Sequence, residues 1–114
     1  KNPKKIFEEG IITEKHNKIL TDKNKFAIVS AHASANYTEM KQNLDIIAKA
    51  FGFEYEIKEI ADLSFIKGRT AEIIVKGKTI GIIGEIVPEV LSNFDLLVPV
   101  SAMEIDLGIL NSCF

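Results

Sequence analysis

The chain has 114 residues, of which 46% are hydrophobic and 26% are charged, and its formal net charge is −2. That composition is typical of one ordinary globular domain with its own core, and it excludes a chain whose whole surface attracts nucleic acid or acidic membrane. The single cysteine, Cys113, excludes an internal disulfide framework and favours a reducing compartment, and no apolar run reaches the roughly 18 residues of a membrane span.

The first part of the chain predicts strands separated by a loop. Residues 4–14 are typical of a strand pair or a bent strand, with Gly10 at the bend. Residues 16–25 are mostly polar and indicate a loop, whereas the apolar run over residues 26–31 indicates a strand.

The clearest helix is predicted over residues 37–51, where apolar residues recur at helical spacing and form a face suited to core packing. Asn36 is the expected N-cap, Glu39 is placed to complete a capping box, and Gly52 supplies the left-handed residue that ends the helix. The expected apolar face consists of Tyr37, Met40, Leu44, Ile47, Ala48 and Phe51.

The strongest local pattern is a hairpin that turns at Lys76 and Gly77. A two-residue turn there places Val75 opposite Lys78 and, further along the strands, Ile73 opposite Ile80. In this register one continuous apolar face is formed by Ala71, Ile73, Val75, Ile80 and Ile82.

The remaining elements complete an α+β pattern. A half-buried strand is predicted over residues 54–59, a short helix with Pro88 in its first turn and Glu89 near its positive end follows the hairpin, and residues 99–107 form the last strand. Because a tight hairpin requires antiparallel pairing, we predict an antiparallel sheet with helices flanking one face, in a single domain or fragment spanning residues 1–114.

One stretch, EIIVKGKT over residues 72–79, approaches the phosphate-binding P-loop pattern with its Gly77-Lys78-Thr79. The first glycine of that pattern is replaced by Glu72, whose carboxylate would repel phosphate, and no helix is predicted after Thr79. The β-branched residues before the turn favour a strand. We therefore favour the hairpin, and a nucleotide-binding enzyme is the less favoured interpretation.

Other candidate sites are weaker. His16 and His32 are far apart in sequence and have no cysteine nearby, so no metal site is expected. Ser30, His32 and Ser34 follow a strand, where catalytic residues often lie, but spacing alone assigns no orienting acid, and catalysis there is the less favoured interpretation.

Three stretches of the chain, taken together and in order, resemble the C-terminal part of the β chain of phenylalanine–tRNA ligase, in its archaeal and eukaryotic type. Residues 67–73, KGRTAEI, are similar to the family pattern P-G-R-x-A-x-I. Residues 76–90, KGKTIGIIGEIVPEV, are similar to N-G-K-x-I-G-x-I-G-E-h-H-P-E-V, in which h is hydrophobic. Phe94, Pro99 and Val100, and the run MEIDL over residues 103–107 are similar to F-x-L-x-x-P-V-x-x-F-E-x-D-L.

The chain departs from the family pattern at four positions. Lys67 stands where proline is usual, Lys76 where asparagine is usual, Val87 where histidine is usual, and Met103 where phenylalanine is usual. The early strands and helices of the family's module are absent from the sequence, so we expect a fragment or a truncated domain.

The resemblance implies a fold like that of the class II aminoacyl-tRNA synthetases, in a catalytic-like module that has lost its chemistry. It implies a cytoplasmic (αβ)2 enzyme in which the α chain binds ATP, magnesium and phenylalanine, and which charges tRNA. Working class II sites use arginines in the regions that correspond to residues 4–14 and 103–107, and neither region contains one. We therefore expect no catalytic, cofactor-binding or metal-binding residue in this segment, and no membrane partner.

The expected role is structural, through packing against the α chain, and a stand-alone interaction domain is the alternative. The residues expected to shape turns are Lys76, Gly77, Gly84 and Pro88. The residues expected to contact the α chain or tRNA are Lys67, Arg69, Glu85 and Glu89.

Overall fold

The structure, a computed structural model, describes residues 16–21 and 24–114. The strand pair predicted over residues 4–14 lies outside these residues. The elements in chain order are β1 (His16–Thr21), β2 (Lys25–Ala31), α1 (Tyr37–Phe51), β3 (Glu56–Glu59), β4 (Phe65–Val75), β5 (Lys78–Ile86), α2 (Pro88–Asn93), β6 (Val100–Asp106) and α3 (Leu107–Asn111).

The strands among the described residues form one antiparallel sheet in the order β1-β2-β6-β5-β4-β3, which confirms the α+β prediction. The loop predicted over residues 16–25 is wrong for its first part, because His16–Thr21 pairs with β2 along its whole length. A strand at the edge of a sheet is held by main-chain hydrogen bonds and faces water on one flank, so its polar composition does not prevent strand formation.

Helices cover both faces of the sheet, so the prediction that they lie on one face is wrong for α2. β2 and β6 carry small or apolar side chains at almost every position, and each face therefore has its own core. The face covered by α1 and α3 buries Ile28, Met40, Leu44, Ala48, Phe53, Ala71, Ile73, Val75, Ile80, Ile83, Met103, Ile105 and Leu110. The face covered by α2 buries Ala27, Val29, Ala31, Phe65, Ile86, Leu91, Val100 and Ala102.

The caps of α1 are those predicted from the sequence. The Asn36 side chain accepts a hydrogen bond from the main-chain N–H of Glu39 at 2.8 Å, and Gly52 ends the helix with a φ of 77°. The reciprocal half of the capping box is absent, because the Glu39 carboxylate bonds to Ser30 and His32 instead. Phe51, predicted on the buried face, is 66% exposed.

The half-buried character predicted for residues 54–59 is confirmed for Tyr55, which packs against the core beneath α1, and is wrong for the residues that follow it. β3 covers Glu56–Glu59, and all four of its residues are exposed at the edge of the sheet. The preceding residue, Tyr55, is half-buried and donates its hydroxyl hydrogen to Asp45 of α1. Burial and, second, this hydrogen bond raise the pKa of Tyr55, so the phenol stays protonated and ties the start of β3 to α1.

The hairpin turn lies where the sequence predicts it. Lys76 and Gly77 have φ angles of 51° and 80°, which is the conformation that matches the twist of a tight hairpin, and Val75 pairs with Lys78. The predicted pairing of Ile73 with Ile80 is wrong, because a β-bulge shifts the register and Ile73 pairs with Gly81.

The bulge also changes which residue of β5 lies in the core beneath α1. Ile80 is the extra residue and remains buried on that face, with 1% of its surface exposed. Beyond the bulge the alternation is shifted by one residue, so Ile83 occupies the place expected for Ile82. Ile82 packs on the α2 face.

A short helix that the sequence analysis did not predict, α3, follows β6 directly. Asp106 is its N-cap and accepts a hydrogen bond from the main-chain N–H of Ile109 at 3.0 Å. That hydrogen bond is the main reason why the pKa of Asp106 lies below its ordinary value of 3.8. The nearby Lys25 ammonium lowers the pKa further.

We expect the Asp106 cap to make stability depend on pH in the acid range. Since the pKa is lower in the folded state, the stabilisation is complete above the unfolded value and is lost as the pH falls through the folded value. Asp106→Asn keeps a capping oxygen without the charge. Urea unfolding of both proteins should therefore show a stability difference near pH 7 that shrinks toward about pH 2. A difference that is the same at both pH values would contradict this assignment.

Candidate functional site

A row of buried polar side chains crosses three neighbouring strands on the face covered by α1. Ser30 of β2 pairs with Ser101 of β6, which in turn pairs with Glu85 of β5. All three residues are at most 8% exposed. A polar row inside an apolar core is costly unless its members are hydrogen-bonded, so the contacts of each group decide what the row does.

Glu85 is the centre of this row. Its Oε1 accepts a hydrogen bond from Nη1 of Arg69 at 3.0 Å, and its Oε2 accepts one from the main-chain N–H of Tyr37 at 2.7 Å. Tyr37 is the first residue of α1, where the helix dipole favours negative charge. One carboxylate therefore ties β5 to the start of α1 and to the irregular part of β4.

Arg69 lies in that irregular part because β4 bulges strongly. Phe65 pairs with Ile86 and Thr70 with Gly84, so four residues of β4 lie opposite one residue of β5. Gly68 has a φ of 83° within the bulge, and the Thr70 hydroxyl donates to the carbonyl of Ile66 at 2.8 Å. The bulge places the Arg69 guanidinium against Glu85 while 60% of its side chain stays exposed.

The other end of the row is formed by Ser30, His32 and Glu39. The Ser30 hydroxyl donates to Glu39 Oε1 at 2.9 Å, and Nε2 of His32 lies 2.9 Å from both Glu39 oxygens. His32 Nδ1 accepts from the main-chain N–H of Ser34 at 3.1 Å, so the ring proton is on Nε2 and is donated to Glu39.

This order of groups does not make a nucleophile. In a serine triad the histidine lies between the serine and the acid, so that it can take the serine proton. Here Glu39 lies between Ser30 and His32 and bonds both of them. The catalytic interpretation of Ser30, His32 and Ser34 therefore has no support in the geometry. The bonds that Ser30 and His32 make to Glu39 instead stabilise the start of α1.

Ser101 is the exception in the row, since its buried Oγ has no hydrogen-bond partner among the described residues. A buried hydroxyl without a partner lowers stability. We expect Ser101→Ala to leave the free energy of unfolding unchanged or to raise it by up to about 1 kcal/mol, whereas Ser30→Ala, which removes a bonded hydroxyl, should lower it by about 1 kcal/mol. Urea unfolding measures both, and equal losses in the two variants would contradict the assignment.

Of the residues expected to shape turns, Lys76 and Gly77 form the hairpin turn, whereas Gly84 has a different role. Pro88 begins α2. Gly84 does not bend the chain, because β5 continues through it to Ile86. A Cβ at Gly84 would lie 2.6 Å from a ring carbon of Phe65 and 3.0 Å from the carbonyl oxygen of Arg69, so this glycine permits the close approach of the β4 bulge.

The predicted contact residues divide into two pairs. The structure brings Arg69 and Glu85 together, whereas Lys67 and Glu89 are exposed. The partner of Glu85 at the start of α1 was not predicted, because it is a main-chain N–H from a distant part of the chain. One feature of the sequence does indicate that Glu85 has a buried partner. Glu85 is the single charge inside the apolar run IIGEIV, and a carboxylate in such a run requires a partner.

The Gly77-Lys78-Thr79 segment has no phosphate-binding geometry. Gly77 completes the hairpin turn, Thr79 pairs with Ile74 in the sheet, and the Lys78 ammonium donates to Ser112 Oγ at 3.1 Å. Among residues 16–21 and 24–114 no group of three or more His, Cys, Asp or Glu side chains is arranged to hold a metal ion. No helix of the described chain is long and apolar enough to cross a membrane.

A cavity adjoins the Glu85–Arg69 pair at the end of the sheet. It has a volume of about 590 Å³ and lies between the start of α1, the β4 bulge, α2 and the loop that leads to β6. Its polar lining includes Asn36, Arg69, Glu85 and Asp95, and most of the other lining residues are apolar.

Comparisons with known proteins agree with this architecture. Residues 1–107 match the family model described as the phenylalanyl tRNA synthetase beta chain CLM domain. The chain is 44% identical over 106 residues to the phenylalanine–tRNA ligase beta subunit of Thermococcus onnurineus, a match that covers 90% of this chain and 18% of the relative. It is 37% identical over 108 residues to that of Archaeoglobus fulgidus, a match that covers 93% of this chain and 19% of the relative. The chain thus spans about a fifth of the length of these relatives.

The fold is shared with a class II synthetase. The crystal structure of pyrrolysyl-tRNA synthetase from Desulfitobacterium hafniense aligns with a TM-score of 0.66 at 8% sequence identity, over 96% of this chain and 46% of that one. A second structure of a pyrrolysyl tRNA synthetase from the same organism aligns with a TM-score of 0.59 at 8% identity, over 84% of this chain and 40% of that one. At this level of identity the likeness concerns the fold alone, and it confirms the predicted synthetase-like architecture.

Proposed function

The chain belongs to the phenylalanyl tRNA synthetase beta chain CLM domain family, and from that membership we propose that it is a non-catalytic, structural part of a phenylalanine–tRNA ligase beta subunit. It lies in the C-terminal part of that subunit and packs against the α chain. ATP, magnesium and phenylalanine bind to the α chain, in a cytoplasmic (αβ)2 enzyme that charges tRNA. The match over residues 1–107 is the observation that carries this proposal.

The polar row supports a structural role for the segment. The groups best suited to bind an anionic substrate are the start of α1 and Arg69, and both already donate to the chain's own Glu85. An incoming phosphate would compete with the carboxylate of Glu85, whose side chain is 11% exposed. Ser30 and His32 are likewise each bonded to Glu39 and not to one another, which leaves no paired nucleophile and base among the described residues.

The assembly role is tested by co-expression. A longer β chain that carries this segment should co-purify with a phenylalanine–tRNA ligase α chain, and deletion of the segment should abolish co-purification. Retention of the α chain by the deleted form would overturn the assembly role.

The absence of nucleotide chemistry is tested separately at Lys78. Calorimetry of the 114-residue chain with ATP and magnesium should show no binding. In the assembled enzyme, Lys78→Ala should leave ATP-dependent charging of tRNA unchanged, because the Lys78 ammonium bonds Ser112 at the surface of this segment. Clear ATP binding that disappears in Lys78→Ala would favour a nucleotide-binding enzyme.

A further inference from the structure

The connection between β2 and α1 is a tight turn that two groups of His32 hold in place. The main-chain carbonyl of His32 accepts a hydrogen bond from the N–H of Ala35 at 3.0 Å, and the ring Nδ1 accepts one from the N–H of Ser34 at 3.1 Å. Asparagine and aspartate side chains bond the main chain two residues ahead in the same way. The imidazole of His32 therefore takes the place that such a side chain has in other turns.

The same ring connects the turn to α1. Nε2 of His32 lies 2.9 Å from both carboxylate oxygens of Glu39. A neutral imidazole has one donor nitrogen and one acceptor nitrogen, so Nε2 donates to Glu39 while Nδ1 accepts from Ser34. The two bonds together require the neutral ring. Because 19% of the His32 side chain is exposed, the ring can take up a proton from solvent.

A second proton on the ring affects the two bonds in opposite directions. An imidazolium is a donor at both nitrogens. At Nε2 the hydrogen bond to the carboxylate of Glu39 becomes an ion pair and is strengthened. At Nδ1 the new N–H points at the N–H of Ser34, which places two donors 3.1 Å apart, so this bond is lost.

The groups around the ring keep the imidazolium in place. Glu39 faces it from α1, and the Ser30 hydroxyl of β2 donates to Oε1 of the same carboxylate, which fixes the carboxylate. The next charged groups along the polar row, Glu85 of β5 and Arg69 of β4, are bonded to each other. The charged ring therefore stays paired with Glu39, and the main chain of the turn has to move instead.

We propose that His32 is a pH-sensitive switch for the turn between β2 and α1. Histidine is the side chain that ordinarily gains or loses its charge between about pH 5 and pH 8. With the neutral ring the turn is bonded at Ser34, and with the charged ring that N–H is released while Glu39 still ties β2 to α1. The turn includes Ala35 and Asn36, which line the cavity at the end of the sheet, so release loosens one wall of the cavity. This inference does not depend on the proposed function.

NMR titration of the 114-residue chain from about pH 8 to about pH 5 tests the switch. At the upper pH, the ring nitrogen shifts should place the proton on Nε2. As the ring becomes charged, the amide signal of Ser34 should move with the midpoint of the His32 ring signals, and its hydrogen-exchange protection factor should fall about fivefold. The amide signal of Gly77, in the distant hairpin turn, should not follow this midpoint. A proton on Nδ1 at the upper pH, or a Ser34 amide that does not follow the ring, would overturn the proposal.

Two variants show which histidine is responsible. In His32→Asn the new side chain can accept from the N–H of Ser34 but takes up no proton, so the protection of Ser34 should become independent of pH over this range. His16→Gln removes the other histidine of the chain and should leave the transition at Ser34 unchanged. Circular dichroism at the upper pH confirms that both variants are folded. A transition that persists in His32→Asn, or that disappears in His16→Gln, would contradict the assignment.

Discussion

Replacing Glu85 by alanine should lower the free energy of unfolding by about 3 kcal/mol. The side chain of Glu85 is 11% exposed and accepts hydrogen bonds from Arg69 and from the main-chain N–H of Tyr37. Its removal leaves that N–H without its acceptor at the start of α1. The guanidinium of Arg69 stays hydrated, because 60% of its side chain is exposed, and this keeps the expected loss at the lower end for a broken buried pair. Urea unfolding followed by circular dichroism measures the loss.

Glu89→Ala is the matched control for this prediction. Glu89 also lies beside a helix start, in the first turn of α2, but it is exposed. Removing it should cost at most about 1 kcal/mol, which is the usual value of a charge near a helix end. Losses of similar size in Glu85→Ala and Glu89→Ala would mean that helix electrostatics alone explains the effect and that the bonds of Glu85 add nothing.

The hydrogen bonds of Glu85 also support the proposal that the segment is non-catalytic. A helix start and an arginine are the donors that proteins commonly use for phosphate and carboxylate ligands. In this chain both are bonded to a carboxylate of the chain itself. The donors that a substrate would need therefore contribute to the contact between α1 and the sheet, which is a structural use of the same chemistry.

The features that were predicted correctly from the sequence depend on neighbouring residues. The cap of α1 at Asn36, its end at Gly52 and the turn at Lys76 and Gly77 follow from side-chain and main-chain preferences within a few positions. The family resemblance extended this to the whole fold, because its three motifs specify elements in a fixed order.

The features that were missed depend on contacts between distant residues. His16–Thr21 is a strand because β2 offers it hydrogen bonds, although its composition is polar. The row of buried polar side chains forms because the fold brings Ser30, Ser101 and the start of α1 close to Glu85. No pattern of neighbouring residues in the sequence indicates these contacts. The bulge at Ile80 likewise could not be predicted from the local sequence, because a regular hairpin with these residues also has an apolar face.

Gly81, which follows the bulge in β5, is the second position where we expect a substitution to lower stability strongly. A Cβ at this position would overlap the main-chain carbonyl oxygen of Glu104 and would lie 3.1 Å from the Cα of Ile105. Because the obstacle is main chain, it cannot be relieved by a side-chain rotation, and β5 and β6 would have to separate where they pair at the centre of the sheet. We expect Gly81→Ala to lower the free energy of unfolding by about 3 kcal/mol.

Gly77→Ala separates this steric effect from the general cost of replacing a glycine. Gly77 has a φ of 80°, but a Cβ there would meet no atom within 4 Å. Its replacement should therefore cost about 1 kcal/mol, from backbone strain alone. Urea unfolding should rank Gly81→Ala well below Gly77→Ala in stability. If the two rank equally, β5 and β6 are not in close contact at Gly81. The regular register, in which Ile73 faces Ile80, would then have to be reconsidered for this hairpin.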